Sequence, residues 1–144
     1  MLKIVGFGSG AKDNMTLEAS AAIAGADLIV GYTTYVDILK QYFPDKEYYA
    51  TNIIQEKERC QYAIDTAKDG KEVVLVCSGD SGIYGMASLV YELAEDNLDI
   101  KVISGVTAAS SGSACLGAPL SHDFAVISLS DCMTPWELIK KRIK

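Results

Sequence analysis

The chain has 144 residues, of which 49% are hydrophobic and 22% are charged. These values are those of one ordinary globular domain and exclude a disordered or fibrous protein. The net charge of -6 disfavours nucleic-acid binding, which needs clustered lysine and arginine side chains. No stretch reaches the ~18 uninterrupted apolar residues of a membrane span, and the first strand has no secretion signal before it. We therefore expect a cytoplasmic protein with no membrane partner.

Strand-like and helix-like segments alternate along the chain. In chain order we predict a strand at 2–7, a helix at 16–25, a strand at 28–30, a helix at 34–42, an edge strand at 47–51, a helix at 55–68, a strand at 73–77, a helix at 86–95, a strand at 100–103 and a helix at 108–116. Repeated strand–helix units with short connections predict an α/β fold, with a mostly parallel five-stranded sheet and helices on both faces. The very hydrophobic segment 73–77 is expected at the centre of the sheet.

The pattern breaks after residue 117. Residues 118–144 contain a connection, an apolar segment at 124–129 that predicts a strand, and a helix signalled by the Thr134-Pro135 cap. We therefore predict an N-terminal α/β domain over 1–117 and, over 118–144, the first strand and helix of an incomplete second domain. A strand covered by a single helix leaves an open edge, so we also expect self-association.

The four cysteines are widely separated, and none forms a C-x-x-C pair; they are Cys60, Cys77, Cys115 and Cys132. This spacing supports neither a zinc site nor a redox motif, and no metal site is predicted. We expect all four to be reduced and mostly buried.

Three glycine-rich loops follow the first, fourth and fifth predicted strands. They are Gly6-Phe7-Gly8-Ser9-Gly10-Ala11, Ser78-Gly79-Asp80-Ser81-Gly82-Ile83-Tyr84-Gly85-Met86 and Ser104-Gly105-Val106-Thr107. In an open α/β sheet the carboxyl ends of the strands are where ligands bind, and glycine lets a ligand lie against the main chain. The second loop therefore predicts a ligand site, and the alternative is a tight turn in which Asp80 caps the next helix.

The first loop also matches the glycine spacing of dinucleotide-binding folds. However, residues 12–15 intervene before the helix cap at Thr16, and no acidic residue follows the second strand to hold a ribose. An NAD-binding oxidoreductase is therefore a disfavoured alternative.

Together, the three loops resemble those of the tetrapyrrole methylase family. The run from Leu116 to Asp131, followed by Thr134-Pro135-Trp136-Glu137, closely resembles the precorrin-3B C17-methyltransferase branch of cobalamin biosynthesis. The resemblance covers the whole chain as the N-terminal part of such an enzyme. It implies a homodimer that binds S-adenosylmethionine between two domains, methylates C17 of a precorrin tetrapyrrole and contracts its ring. Serine at position 81, where the family often has proline, favours a cobalt-precorrin substrate.

The resemblance also assigns residues to the cofactor. By position the contacts fall on Ser9, Asp80, Ile83, Thr107 and Ala108, and Gly79 and Gly82 shape the loop that holds the cofactor. Tyr84 joins this set because it lies next to the same glycine loop. Tyr84 would stack on adenine or on the tetrapyrrole, with filling of the core as the alternative. Serine in place of the family's usual proline, at 9 and 81, predicts less rigid loops.

His122 is the only histidine and therefore the candidate general acid or base for ring contraction. The alternative is a local hydrogen bond to Asp123 that orders the connection. A different class of function also stays open, in which a truncated domain binds a tetrapyrrole or a protein partner without catalysis.

Overall fold

The computed structural model describes residues 1–129 and 134–143. Five strands are present: β1 (Leu2–Gly6), β2 (Leu28–Tyr32), β3 (Glu47–Thr51), β4 (Val73–Cys77) and β5 (Ile100–Ile103). They form one parallel sheet in the order β3-β2-β4-β1-β5. The predicted α/β architecture is confirmed, with β4 at the centre of the sheet and β3 at one edge.

Helices follow the strands along the chain. They are α1 (Leu17–Ala24), α2 (Thr33–Lys40), α3 (Glu56–Lys68), α4 (Ala87–Leu93), α5 (Ala108–Cys115) and α6 (Trp136–Ile143), together with a short 3-10 helix at Lys12–Asn14. The hydroxyl of Thr16 caps α1 by accepting a hydrogen bond from the amide of Ala19 at 3.1 Å. Gly117, with a φ of +63°, follows α5 in a left-handed conformation that favours glycine at the end of a helix.

The strands alternate their side chains between two cores, one on each face of the sheet. Leu75 of β4 packs in one core with Ile64 of α3, and α4 contributes to the same core. Val76 of β4 packs in the other core with Ile23 of α1, and α2 contributes Leu39. Because successive residues of a strand point to opposite faces, a strand covered on both sides must be apolar throughout, as 73–77 is.

The predicted strand at 124–129 is wrong. These residues adopt no regular secondary structure, and Phe124 and Leu129 remain 60% and 66% exposed. A strand is stabilised by pairing with a neighbouring strand, and no described strand runs beside this segment. Helix α6 is present as predicted, with Ile139 buried. The domain boundary at residues 117 and 118 stays a prediction.

The cysteines differ in their surroundings. Cys60 and Cys77 are buried, and burial raises the pKa of their thiols to about 12 and about 11 respectively, so both stay protonated at neutral pH. Cys115 is exposed, contrary to the expectation of burial, because the described α5 buries no side chain. Cys132 lies outside the described residues.

Within residues 1–129 and 134–143, no helix is both long and apolar enough to cross a membrane. In the same ranges, no three His, Cys, Asp or Glu side chains lie close enough together to hold a metal ion.

The carboxyl ends of β1, β4 and β5 meet at three glycines. A Cβ atom on Gly6 would lie 2.6 Å from the carbonyl oxygen of Gly79 and 2.8 Å from the amide nitrogen of Gly105. A Cβ atom on Gly105 would overlap the carbonyl oxygens of Gly79 and Gly6. Glycine at positions 6 and 105 therefore allows the three loops to come this close together.

We expect Gly105→Ala to lower the free energy of unfolding by about 1–3 kcal/mol, because the added methyl group forces backbone apart at this junction. Urea denaturation measures the change. Gly112→Ala is the matched control, since a Cβ there meets no atom within 4 Å and alanine is the better helix former. Equal stability of the Gly105→Ala protein and the wild type would contradict the prediction.

Candidate cofactor-binding site

The three glycine loops enclose a cleft of about 380 Å³, within the usual size range of small-molecule sites. The cleft is lined by Gly8, Ser9, Ser78, Gly79, Asp80, Ile83, Tyr84, Val106, Thr107, Ala108, Ala109, Ser111 and Val126. Most of these side chains are small, so main-chain groups are accessible to a ligand. Among the described lining residues, Asp80 alone carries a charge.

The first and second loops are fastened to each other. The amide of Gly8 donates to the carbonyl oxygen of Gly79 at 3.1 Å, and the amide of Gly79 donates back to Gly8 at 2.8 Å. Both residues have a positive φ, +72° and +64°, which a residue with a side chain rarely adopts. This pair of hydrogen bonds fixes the floor of the cleft.

Asp80 joins the second loop to the third. Its Oδ1 accepts a hydrogen bond from the amide of Gly82 at 2.8 Å, and its Oδ2 accepts one from the amide of Gly105 at 3.0 Å. The alternative in which Asp80 caps the next helix is wrong, because α4 begins at Ala87 and its N-cap, Met86, makes no side-chain hydrogen bond. Each carboxylate oxygen retains a second lone pair that can accept a further hydrogen bond.

Ser81, in the second loop, is completely buried. Its hydroxyl lies 3.3 Å from the carbonyl oxygen of Ile4 and 3.1 Å from that of Ile103, and it can donate to either. The side chain thus ties the loop to β1 and β5, an interaction that proline could not make.

Ser9, in the first loop, is positioned by a local contact. Its hydroxyl accepts a hydrogen bond from the side-chain amide of Asn14 at 2.9 Å. The 3-10 helix at Lys12–Asn14 separates this loop from α1, so α1 does not begin at the glycines as it does in a dinucleotide-binding fold.

The third loop places the N-terminus of α5 against the cleft. The Thr107 side chain caps this helix by accepting a hydrogen bond from the amide of Ala109 at 3.4 Å. The positive end of the helix dipole therefore lies at the cleft, where it favours a negatively charged group.

Tyr84 belongs to the second loop and contacts residues 126–128, which come much later in the chain. Its side chain is 67% exposed, so the alternative in which it fills the core is wrong. Its hydroxyl donates to the carbonyl oxygen of Val126 at 2.9 Å and accepts from the amide of Ser128 at 3.1 Å. These contacts bring residues 126–128 beside the cleft.

The structure brings most of the predicted cofactor residues together. Those that line the cleft are Ser9, Gly79, Asp80, Ile83, Tyr84, Thr107 and Ala108. Gly82 lies in an adjacent hollow, with its amide bound to Asp80. Contact of these residues with a cofactor stays a prediction.

His122 is exposed in the connection after α5 and does not line the cleft. Its catalytic role likewise stays a prediction.

Several lining residues were not identified from the sequence. Ser78 and Val106 stand inside the glycine loops and could have been included on position alone. Ala109 and Ser111 follow on the first turn of α5, where helical spacing would have suggested them. Val126 carried no such signal, because its place depends on the contact with Tyr84 across a long stretch of chain.

Comparison with known proteins gives consistent matches. The family model of the Tetrapyrrole (Corrin/Porphyrin) Methylases matches residues 1–144. The probable cobalt-factor III C(17)-methyltransferase of Salmonella typhimurium is 49% identical, over 99% of this chain and 61% of its own length. The precorrin-3B C(17)-methyltransferase of a Sinorhizobium species is 38% identical, over 99% of this chain and 58% of its own length.

Solved structures give the same result. The methyltransferase CobJ superposes with a TM-score of 0.88 at 37% identity, over 99% of this chain and 61% of that chain. A uroporphyrin-III C-methyltransferase from Thermus thermophilus was solved with S-adenosylhomocysteine. It superposes with a TM-score of 0.66 at 20% identity, over 88% of this chain and 52% of that chain. This likeness shows a shared fold alone. The chain thus spans about 60% of the length of the relatives named first. With its full length matched by the family model, the chain belongs to the tetrapyrrole (corrin/porphyrin) methylases.

Proposed function

We propose that this chain provides the cofactor-binding part of an S-adenosylmethionine-dependent methyltransferase of cobalamin biosynthesis. The reaction proposed is methylation of C17 of a cobalt-precorrin-3 tetrapyrrole, with contraction of the ring. The observation that carries the proposal is the cleft where three glycine loops meet at the carboxyl ends of β1, β4 and β5. Relatives named as C17-methyltransferases, together with the CobJ structure, support it.

The donor set of the cleft fits S-adenosylmethionine. The carboxylate of Asp80 suits ribose hydroxyls or a positively charged group, and the N-terminus of α5 suits a carboxylate. The apolar side chains of Ile83, Val106 and Val126 suit an adenine ring. We propose that Ser9, Gly79, Asp80, Gly82, Ile83, Tyr84, Thr107 and Ala108 hold the cofactor.

Methyl transfer depends mainly on aligning the methyl donor with the acceptor carbon. Bound S-adenosylmethionine would supply an electrophilic methyl group on sulfur, whose leaving group is already good. The role of the chain is then to hold the donor in one orientation beside the acceptor carbon. Such positioning can lower the free-energy barrier of a reaction by several kcal/mol. The loops suit this task because the hydrogen bonds between them fix their backbones before the ligand arrives.

The relatives favour a cobalt-bearing substrate. Proteins named for cobalt-factor III match at 49%, 48%, 42% and 39% identity, and a relative named for precorrin-3B matches at 38%. We place the cobalt in the substrate, as the name cobalt-factor III indicates for these relatives.

Asp80→Asn should weaken binding of S-adenosylhomocysteine about 10- to 100-fold, because the amide accepts at one position only and removes the negative charge. Isothermal titration calorimetry measures the change, on the chain alone and on a form extended to the length of its relatives. Asp96→Asn is the matched control, since Asp96 is exposed in the turn before β5, at the other end of the sheet. No binding by either wild-type form would reject the proposed cofactor.

The extended form should methylate a cobalt-precorrin-3 substrate, with the methyl group appearing at C17 by NMR. Cofactor binding without any turnover by the extended form would favour the non-catalytic alternative.

We further propose His122 as the group that moves protons during ring contraction, so His122→Asn should slow contraction while methyl transfer persists. Equal contraction rates in the wild type and His122→Asn would remove His122 from the mechanism.

We also propose a homodimer. The apolar side chains left exposed after α5 include Leu116 at 83%, Phe124 at 60% and Leu129 at 66%, and such a surface favours burial against a partner. Light scattering coupled to size-exclusion chromatography should give twice the mass of the chain. A monomer at high concentration would overturn this part of the proposal.

A further inference from the structure

Tyr84 occupies an unusual position in the second glycine loop. Its φ of +53° lies in the left-handed region, which residues with a bulky side chain rarely adopt. Three glycines stand in the same loop, yet a tyrosine takes this conformation here. The side chain is 67% exposed and belongs to neither core. A strained and exposed aromatic residue beside a cleft needs an explanation other than packing.

The phenol oxygen of Tyr84 makes two hydrogen bonds to one distant segment. It donates to the carbonyl oxygen of Val126 at 2.9 Å and accepts from the amide of Ser128 at 3.1 Å, residues 42 and 44 positions away. We call these three groups the tyrosine bridge. A single hydroxyl thus satisfies a main-chain acceptor and a main-chain donor at once, which a phenylalanine cannot do.

The tyrosine bridge completes one wall of the cofactor cleft. Ile83, Tyr84 and Val126 all line the cleft, and the same three residues line the adjacent hollow of about 490 Å³. Residues 124–129 belong to no strand or helix, and Val126 is 41% exposed. A segment outside the sheet depends on such local contacts for its position.

The loop that carries Tyr84 is held on both sides. Ahead of it, Asp80 and the buried hydroxyl of Ser81 tie the loop to Gly105 and to the sheet. Behind it, Gly85 packs so closely on the carbonyl of Ser81 that no side chain would fit. The phenol therefore extends from a loop whose backbone is fixed, and its two hydrogen bonds link residues 126 and 128 to that loop.

We propose that Tyr84 is a positioning residue that holds residues 126–128 as a wall of the cleft and couples closure of this wall to cofactor binding. The inference rests on the proposed function, because it takes the ligand of the cleft to be the methyl donor. A ligand that touches both Ile83 and Val126 binds best when the wall is closed. By linkage, the ligand must then stabilise the closed wall by the same factor as closure improves its affinity.

Tyr84→Phe tests the tyrosine bridge, because it removes the hydroxyl and keeps the ring. S-adenosylhomocysteine should bind this variant about 5- to 10-fold more weakly than the wild type, the loss expected for neutral hydrogen bonds. Amide exchange followed by NMR should show that the ligand slows exchange at Ser128 in the wild type but not in Tyr84→Phe. Thermal unfolding of the variant should stay near that of the wild type, which separates positioning from a general structural defect.

Tyr91→Phe is the matched control, since it removes a hydroxyl from an α4 tyrosine that is 56% exposed and does not line the cleft. It should bind S-adenosylhomocysteine like the wild type. Equal affinity of Tyr84→Phe and the wild type, or exchange at Ser128 that ignores the ligand, would overturn the proposal.

The absence of binding by the wild type would instead overturn the proposed function, and the coupling would fall with it. The exchange rate of the Ser128 amide without ligand distinguishes the two failures. A faster rate in Tyr84→Phe than in the wild type shows that the hydroxyl holds the segment, whereas equal rates show that the bridge itself is wrong.

Discussion

The close approach of three main chains at Gly6, Gly79 and Gly105 is the constraint on which the site depends. Strands β4 and β5 both pair with β1, so the loops that follow these strands must leave the sheet side by side. The absence of side chains at the junction lets the loops touch there instead of diverging. The cleft is therefore a consequence of strand order and glycine placement together, and neither alone would produce it.

Asp80 shows how one carboxylate can serve both architecture and binding. Its two oxygens accept hydrogen bonds from Gly82 and Gly105, so the negative charge is partly balanced by main-chain dipoles in the protein itself. A cofactor that uses the remaining lone pairs would meet an acceptor already fixed in position. Little conformational entropy is then lost on binding, which is the usual advantage of a preorganised site.

Local sequence patterns predicted most of the fold. The apolar run 73–77 and the Thr16 cap are each fixed by neighbours within a few residues, and both are found where expected. The prediction of a strand at 124–129 was wrong because an apolar composition does not by itself provide a neighbouring strand to pair with. The role of Asp80 between two loops and the contact of Tyr84 with Val126 join distant parts of the chain, and single-sequence spacing contains no record of such contacts.

The position of β5 at the edge of the sheet has a consequence for the site. Among the described strands, β5 pairs with β1 alone, and its residues Lys101 and Val102 are exposed. Edge strands with few buried contacts open more readily than central ones, so one side of the cleft is attached to an edge of the sheet. A ligand that contacts both Asp80 and Thr107 would link the loop after β5 to the loop after β4. Ligand binding would then stabilise this edge of the sheet.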